Sequence, residues 1–343
     1  MKILLIGGNK VCAIEQFYVK YLKENGVDII HYPANDIVFD KRTKNILSKI
    51  LFKTKIKTGY NLVNKKILSL AKEFKPDIIW VFKGMEIFPE TLKKLKGEHK
   101  LVNYNPDNPF IFTGKGSGNS NISKSIGLYD LHFTYNKEIE NELKTKYPDI
   151  MVKYLPFGFD LNGFDITKDN EDEVISACFV GNPDNDRANF IKQLNIKGIS
   201  FHLYGHGWDN FVSAKQNIVS NAVTGDDYWR ILRKYRIQLN LMRIHNPNSH
   251  NMRTFEIAPV GGIQLMPRNE EHLNFYKEDI EAFFYNNIDE AANKIKNILS
   301  LTKDKADGIR KAAILRSLES GYSYENRTLQ VLEIFKKLLN LHF

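Results

Sequence analysis

Short apolar runs alternate with longer amphipathic segments through the first half of the chain. The runs stop at glycine, proline or asparagine, and the segments between them carry apolar side chains at helical spacing. This alternation is typical of βαβ units, in which parallel strands form a sheet with helices on both faces. It predicts a doubly wound α/β sheet with strands over residues 3–6, 27–32, 77–82, 101–104, 131–134 and 152–155.

The second half of the chain repeats this alternation, with strands that end at glycine or polar residues. In open parallel sheets, ligands bind beyond the carboxyl ends of the strands, so the residues at those ends are candidates for a binding site. The predicted strands at 175–180, 199–204 and 236–242 end at Gly181-Asn182, Gly205-His206 and Arg243.

The segment from Arg253 to Gly262 predicts a short helix that ends at a glycine pair and leads into another apolar strand. Arg253 and Glu256 are three residues apart, so a helix places them on one face. A guanidinium suits the oxygens of a diphosphate, and a carboxylate accepts hydrogen bonds from the two hydroxyls of a ribose. The pattern indicates a sugar-nucleotide site that includes Thr254. An ordinary helical salt bridge beside a glycine C-cap explains the same residues.

Several motifs of this half resemble one known family. The letters FVGN, FHLYGHGW, the segment with Asn240, RTFEIAPVGG and a helix-rich tail, over residues 175–335, are similar to the nucleotide-binding half of CgeB-like glycosyltransferases. The resemblance implies the GT-B fold, in which two Rossmann-like domains face a cleft, and it implies transfer of a sugar from a nucleotide donor. Related retaining enzymes carry two glutamates separated by seven residues. Glu256 matches the second, whose usual partner is the donor ribose, and the first falls on Asn248.

The chain length agrees with two domains, because 343 residues exceed what one core usually supports. We expect an acceptor-binding domain over residues 1–160, an acidic, turn-rich linker over 160–173 and a nucleotide-sugar domain over 174–322. By the same resemblance, the apolar stripe of the last helix, within residues 323–343, packs back on the first domain. A coiled-coil dimer is the alternative for that stripe.

An inverting transfer needs a base that takes the proton of the acceptor hydroxyl. Asp107 is the first candidate, because it follows a predicted strand of the first domain, and Glu86 is the reserve. A turn-capping role beside two prolines is the alternative for Asp107. If the enzyme is retaining, Asp107 becomes an acceptor-binding residue.

The departing diphosphate needs positive charge and backbone donors. We assign this role first to Arg253, then to the amides of Gly181-Asn182, and then to Arg187 or Arg243. Tyr204 and His206 are further candidates for nucleotide contact, although packing or a plain loop position explains them as well. No acidic metal-binding motif of the DxD kind stands out, so we predict metal-independent transfer, no cofactor, and a UDP, GDP or dTDP sugar as donor.

Composition and charge refine this picture. Hydrophobic residues make up 43% and charged residues 26% of the chain, which is typical of a soluble globular protein. No apolar run approaches a bilayer-spanning length, and the apolar opening is too short for a signal sequence, so we expect a cytoplasmic location. The net charge of +9 is concentrated in residues 41–66, which hold nine Lys or Arg and no acidic residue.

Within residues 41–66, apolar side chains recur at helical spacing, which predicts an amphipathic helix with a cationic face. Such a helix suits an anionic membrane surface, for example the inner face of the plasma membrane. Packing on its own domain is the alternative. Nucleic acid is disfavoured, because no nucleic-acid motif accompanies the charge.

Together these features predict a transferase acting on a glycan or lipid-linked acceptor in cell-surface polysaccharide or glycoconjugate synthesis. Two alternatives stay open. One is a binding or morphogenetic protein that keeps the fold without turnover, which Asn248 in place of a glutamate would suit. The other is a nucleotide-sugar epimerase of the same fold.

Overall fold

The computed structural model describes residues 1–10, 13–43, 58–112, 117–161, 163–167, 172–213, 215–242 and 248–340. These residues form two compact units. Unit 1 comprises Met1–Pro156 with Tyr324–Phe343, and unit 2 comprises Phe157–Ser323. The amphipathic helix expected within residues 41–66 has its central part, 44–57, outside the described residues, and Arg243 also lies outside them.

Unit 1 is built on a six-stranded parallel sheet with the strand order β2-β1-β3-β4-β5-β6. The central strand β3, Ile78–Phe82, is buried along its whole length, as expected for a parallel strand covered on both faces. The other strands are β1 (Lys2–Ile6), β2 (Asp28–Tyr32), β4 (Lys100–Asn105), β5 (Leu131–Thr134) and β6 (Met151–Tyr154).

Helices connect these strands and cover the sheet. Asparagine caps two of them: Asn119 and Asn136 each accept hydrogen bonds from two backbone N–H groups of the helix that follows. The helices are α1 (Ile14–Glu24), α2 (Ala34–Thr43), α3 (Thr58–Phe74), α4 (Pro89–Leu95), α5 (Ser120–Ser125) and α6 (Lys137–Lys146).

Unit 2 has a second six-stranded parallel sheet, with the order β12-β11-β10-β7-β8-β9. Its strands are β7 (Val174–Val180), β8 (Phe201–Tyr204), β9 (Asn217–Ser220), β10 (Tyr235–Leu239), β11 (Gln264–Pro267) and β12 (Phe283–Tyr285). Its helices are α7 (Asn185–Ile196), α8 (Gly225–Lys234), α9 (Met252–Glu256), α10 (Glu270–Phe275), α11 (Ile288–Leu299) and α12 (Lys303–Glu319).

Both sheets confirm the doubly wound α/β class predicted from the sequence. The edge strands β9 and β12 are absent from that prediction. β9 has four residues that include two polar ones, and β12 has only three residues, so neither gives a recognisable apolar run.

Glu173, at the end of the stretch expected to be a linker, is anchored inside unit 2. Its carboxylate forms ion pairs with Arg236 and Arg310, whose side chains are almost fully buried. Arg310 also donates to the carbonyl of Gly261 at 2.6 Å. The pairing compensates the buried charges, as burial of arginine requires.

The last helix, α13 (Tyr324–Leu338), belongs to unit 1 although it follows unit 2 in sequence. Its fully buried Phe335 packs edge-on against Trp80 of β3, with ring centroids 5.2 Å apart. At its start, Tyr324 stacks on Phe17 of α1 at 4.6 Å. The apolar stripe of this helix is thus covered by the core of unit 1.

No helix among the described residues combines the length and the apolar character needed to cross a bilayer.

Candidate functional site

The start of α9 is fixed by a buried polar network. Asn251 caps the helix by accepting from the N–H of Thr254, and the Thr254 hydroxyl accepts from the N–H of Asn251. Asn240, just after β10, donates to the Thr254 hydroxyl at 3.1 Å and accepts from the Asn251 amide at 2.7 Å. Thr254 and Asn240 are fully buried. Thr254 therefore sets the direction of the helix from within the protein.

The end of α9 follows the predicted pattern of helix, glycine pair and strand. A single 3₁₀ turn, Ala258–Val260, separates the helix from Gly261. Gly261 has a φ of 78°, the left-handed conformation that favours glycine at a helix end. Strand β11 begins three residues later at Gln264.

Arg253 ties α9 to the carboxyl end of β7. Its Nε donates to the carbonyl of Val180, the last residue of β7, at 3.2 Å. Its Nη1 donates to Glu256 Oε2, and its guanidinium lies 4.6 Å from the ring centroid of Tyr228 on α8. The side chain keeps 29% of its surface exposed. A cation is thus held at the edge of the sheet where parallel folds bind anions.

Glu256 is nearly buried, at 7% exposure, and its two oxygens differ. Oε2 accepts from Arg253 and from the hydroxyl of Tyr228, the latter at 2.7 Å. Oε1 has no hydrogen-bond partner among the described residues. The helical ion pair considered as an alternative is therefore present, and one carboxylate oxygen is still available to a ligand.

The turns after β7 and β8 contact each other directly. A Cβ atom at Gly205 would lie 2.3 Å from the carbonyl oxygen of Gly181, so only glycine allows this approach. Trp208 Nε1 donates to the same carbonyl at 2.8 Å, and the N–H of His206 donates to Asn182 Oδ1 at 2.9 Å. Gly181, Asn182, Gly205 and His206 are brought together, as the sequence predicts.

Arg187 holds the turn after β7 against the end of β10. Its Nη1 and Nη2 donate to the carbonyls of Asn182 and Leu241, both at 3.1 Å. Its guanidinium lies over the ring of Phe179 at 5.5 Å. Asp184 caps α7 by accepting from the N–H of Arg187 at 3.0 Å. Arg187 thus braces the backbone of the site.

Tyr204 and Trp208 are held by packing and hydrogen bonds of unit 2. The Tyr204 hydroxyl lies 2.7 Å from that of Tyr235, which in turn lies 3.1 Å from His202 Nδ1. Trp208 is fully buried in the hydrophobic core. Asn248, in the position where related enzymes carry a glutamate, is exposed.

In unit 1, Asp107 lies in the loop after β4, and Lys83 lies in the loop after β3. The two side chains form an ion pair, and 36% of the Asp107 side chain is exposed. The N–H of Asp107 donates to Asn105 Oδ1 at 3.0 Å, which is the turn-capping geometry considered for this loop, with Asn105 as the acceptor. Lys83 has a φ of 61°, an uncommon conformation outside glycine.

Glu86, three residues after Lys83, is buried to 9% exposure. Its Oε2 has no partner among the described residues. The pKa of this carboxyl is raised to about 7, mainly by burial, with smaller upward contributions from repulsion by Asp36 and Glu15. A hydrogen bond from its own backbone N–H and the charge of Lys83 act in the opposite direction. A carboxyl with this pKa exchanges protons near neutral pH, as a general base does.

Two residues of these sites were not identified from the sequence. Tyr228 contacts both Arg253 and Glu256, but a tyrosine on an amphipathic helix gives no specific signal. Glu15 on α1 accepts from the N–H of Gly8 at 2.7 Å, and burial raises the pKa of its carboxyl. An acidic residue in the first turn of a helix that follows Gly7-Gly8 could have indicated this contact.

Residues 187–333 match the family described as Glycosyl transferase-like. The match spans α7 to α13 and includes Arg253 and Glu256. No curated protein sequence matches the chain with significant similarity.

Solved structures resemble the chain over almost its whole length. Sucrose-phosphate synthase from Thermosynechococcus elongatus has a TM-score of 0.71 at 11% identity, with 100% of both chains covered. HepE from Anabaena, in complex with UDP-glucose, has a TM-score of 0.68 at 12% identity, covering 98% of this chain and 100% of HepE. A glycosyltransferase from Rickettsia africae has a TM-score of 0.66 at 14% identity, covering 99% of each chain. These likenesses confirm the GT-B fold.

Proposed function

We propose that this chain, which has the GT-B fold, is a glycosyltransferase that moves a sugar from a nucleotide-sugar donor to a glycan or lipid-linked acceptor, in the synthesis of a cell-surface polysaccharide or glycoconjugate. One observation carries the proposal: Arg253 and Glu256 are held side by side at the carboxyl end of β7, with Oε1 of Glu256 without a partner among the described residues. We also assign the chain to the CgeB-like subtype, on the motifs FVGN, FHLYGHGW and RTFEIAPVGG.

The donor site is proposed at the carboxyl ends of β7, β8 and β10. Arg253 and the backbone amides of Gly181 and Asn182 balance the charge of the diphosphate, and Glu256 accepts from the ribose hydroxyls. Arg187 contributes by fixing the turn, since its donors already bind carbonyls of Asn182 and Leu241. That HepE was solved with UDP-glucose supports a UDP sugar as one of the donors to test.

Unit 1 is proposed to hold the acceptor. Asp107 is the group we place against the acceptor hydroxyl, because its carboxylate is partly exposed at the end of β4. Glu86 is the reserve base, and its pKa of about 7 suits proton transfer at neutral pH. In an inverting reaction one of these carboxylates takes the proton. In a retaining reaction Asp107 binds the acceptor instead.

We propose that the transfer needs no metal ion, because Arg253 and the backbone amides near β7 can neutralise the leaving diphosphate. Activity should survive dialysis against EDTA at its full rate. A strict dependence on added manganese would contradict this part of the proposal.

Residues 41–66 are proposed to attach the enzyme to an anionic membrane surface, such as the inner face of the plasma membrane. The support is their nine basic and no acidic residues, because each basic residue near such a surface contributes ~1 kcal/mol of binding. Co-sedimentation with phosphatidylserine vesicles at low salt should exceed that with phosphatidylcholine vesicles. Equal sedimentation with both kinds of vesicle would contradict attachment to an anionic surface.

A non-catalytic binding protein is the second candidate function, favoured by Asn248 at the position where related retaining enzymes carry a glutamate. Such a protein would bind nucleotide sugars without releasing nucleoside diphosphate. An epimerase of the same fold would convert the nucleotide sugar with no acceptor present. Product analysis with and without a mixed glycan acceptor separates all three activities.

A thermal-shift screen against UDP, GDP, dTDP and CMP sugars tests the donor proposal. A ligand at one hundred times its Kd stabilises the folded state by about 2.7 kcal/mol, which gives a measurable shift of the midpoint. We expect one class of nucleoside-diphosphate sugar to stabilise the protein. The absence of a shift with every diphosphate sugar would contradict the proposed function.

A further inference from the structure

The carboxylate of Glu256 is restrained by two donors on a single oxygen. Arg253 Nη1 and the Tyr228 hydroxyl both donate to Oε2, and Tyr228 does so at 2.7 Å. Oε1 accepts from no described residue. This asymmetry fixes the rotation of the carboxylate, so that one oxygen is committed to the protein and the other remains an acceptor.

Tyr228 acts on Arg253 as well. The guanidinium lies 4.6 Å from the centroid of the Tyr228 ring, a distance at which the ring face attracts a cation. The half-buried Tyr228, on α8, therefore contacts both members of the pair on α9, and it does so from a different element. Its ring orients the cation, and its hydroxyl orients the anion.

Without the hydroxyl, a second arrangement of Arg253 and Glu256 becomes accessible. A guanidinium presents a planar fork of donors that fits both oxygens of a carboxylate. Arg253 and Glu256 are already paired, so removal of the third partner frees the carboxylate to engage the fork with both oxygens. The pair would then neutralise itself, and neither group would be directed to a ligand.

Resting on the proposed donor site, we infer that Tyr228 is a positioning residue that makes the site selective for ribose. The phenol holds Oε2, so Oε1 is left to accept from the hydroxyls of the ribose. The donor class that fits is a ribonucleoside diphosphate sugar, such as a UDP, GDP or ADP sugar. A dTDP sugar, which lacks the 2′-hydroxyl, is disfavoured.

The test is calorimetric titration with UDP, GDP and ADP and with the 2′-deoxy form of each. For the wild-type protein, we expect the ribonucleotide that binds best to bind about tenfold more tightly than its 2′-deoxy form, as for a hydrogen bond to a charged group. Tyr228→Phe should bind the ribonucleotide at least about fivefold more weakly and lose most of its preference over the 2′-deoxy form.

Two further variants are needed, one to separate the effect of the ring from that of the hydroxyl and one as a control. Tyr228→Leu removes the ring as well as the hydroxyl, so it should also weaken the binding of the 2′-deoxy nucleotide, which Tyr228→Phe leaves nearly unchanged. Tyr285→Phe removes a phenol hydroxyl from β12, in the same unit but outside this triad, and should bind like the wild type. Thermal midpoints of all variants confirm that each is folded.

The outcomes separate this inference from the donor site on which it rests. If Arg253→Ala and Glu256→Ala weaken nucleotide binding but Tyr228→Phe keeps the wild-type ribose preference, the role of Tyr228 is wrong and the site is right. A wild-type protein that binds both forms equally overturns the ribose selectivity. If Arg253→Ala and Glu256→Ala bind like the wild type, or if none of the three diphosphates binds, both ideas are wrong.

Discussion

Glu86 shows how burial changes the chemistry of a single side chain. The folded protein raises its pKa from the ordinary value of 4.5 to about 7, mainly because the charged form loses water. Between these two pH values the folded state binds more protons at this group than the unfolded state does. The contribution of this protonated carboxyl to the free energy of unfolding is therefore fully present below pH 4.5. It is lost as the pH rises through 7.

Glu86→Gln should consequently become more stable relative to the wild type as the pH rises. A shift from 4.5 to about 7 corresponds to an upper bound of about 3 kcal/mol in the free energy of unfolding. Urea unfolding at pH 4.5 and pH 8 measures the change in that difference. Glu90→Gln, at an exposed position of α4, is the control and should show no such change. A difference for Glu86→Gln that is constant with pH would contradict the raised pKa.

Asp107 is partly exposed and paired with Lys83, which suits a group that meets the acceptor. If it is the base of an inverting transfer, Asp107→Asn should lower kcat by about 10²- to 10⁴-fold with little change in donor affinity. If it binds the acceptor in a retaining reaction, the same change should mainly raise the acceptor KM. Steady-state kinetics distinguish the two, with the exposed Asp149→Asn as control. Unchanged kcat and KM would remove Asp107 from the site.

At the scale of elements, the turns after β7 and β8 depend on a contact that only glycine permits. Gly205→Ala would place a Cβ atom 2.3 Å from the Gly181 carbonyl and 3.1 Å from Trp208 Nε1. Because the nearest atom is backbone, the turn must shift, at a cost of about 1 to 3 kcal/mol. We expect a lower thermal midpoint and weaker nucleotide binding.

Gly308→Ala is the matched control for this change. A Cβ atom at Gly308, inside α12, would meet nothing within 4 Å. Alanine there should leave stability unchanged or raise it by about 0.5 to 1 kcal/mol, because glycine is a poor helix former. If Gly205→Ala behaved like this control, the close approach of the two turns would be wrong.

The sequence predicted these elements to different extents. The central strands were recognisable because strands buried on both faces form continuous apolar runs, such as residues 78–82. The helix, glycine pair and strand from Arg253 to Gly262 followed from capping chemistry. The edge strands β9 and β12 gave no such signal, because they are short. Tyr228 could not be predicted as a partner of Glu256, since the contact joins residues 28 positions apart through tertiary packing.

At the scale of the whole molecule, unit 1 is assembled from both ends of the chain. Phe335 of α13 is fully buried and packs on Trp80 and Phe133 of the first sheet. Phe335→Ala should therefore reduce the stability of unit 1 by about 3 to 5 kcal/mol, as for other large core truncations. Hydrogen exchange should show the loss of protection in β3 and β5.

Leu329→Ala on the same helix is the control, because Leu329 is 44% exposed. It should change stability by less than about 1 kcal/mol. Equal effects of the two substitutions would mean that α13 does not supply the core of unit 1.

The proposed role of Arg253 and Glu256 is to hold the donor in unit 2. The most direct test of this role is calorimetric titration with the nucleotide sugar that stabilises the wild-type protein. The proteins to be titrated are Arg253→Ala, Glu256→Ala and a control, Arg230→Ala. The control removes an exposed cation from α8. We predict that the first two variants bind at least about tenfold more weakly and that the control binds like the wild type. Wild-type affinity in both Arg253→Ala and Glu256→Ala would mean that this pair does not hold the donor.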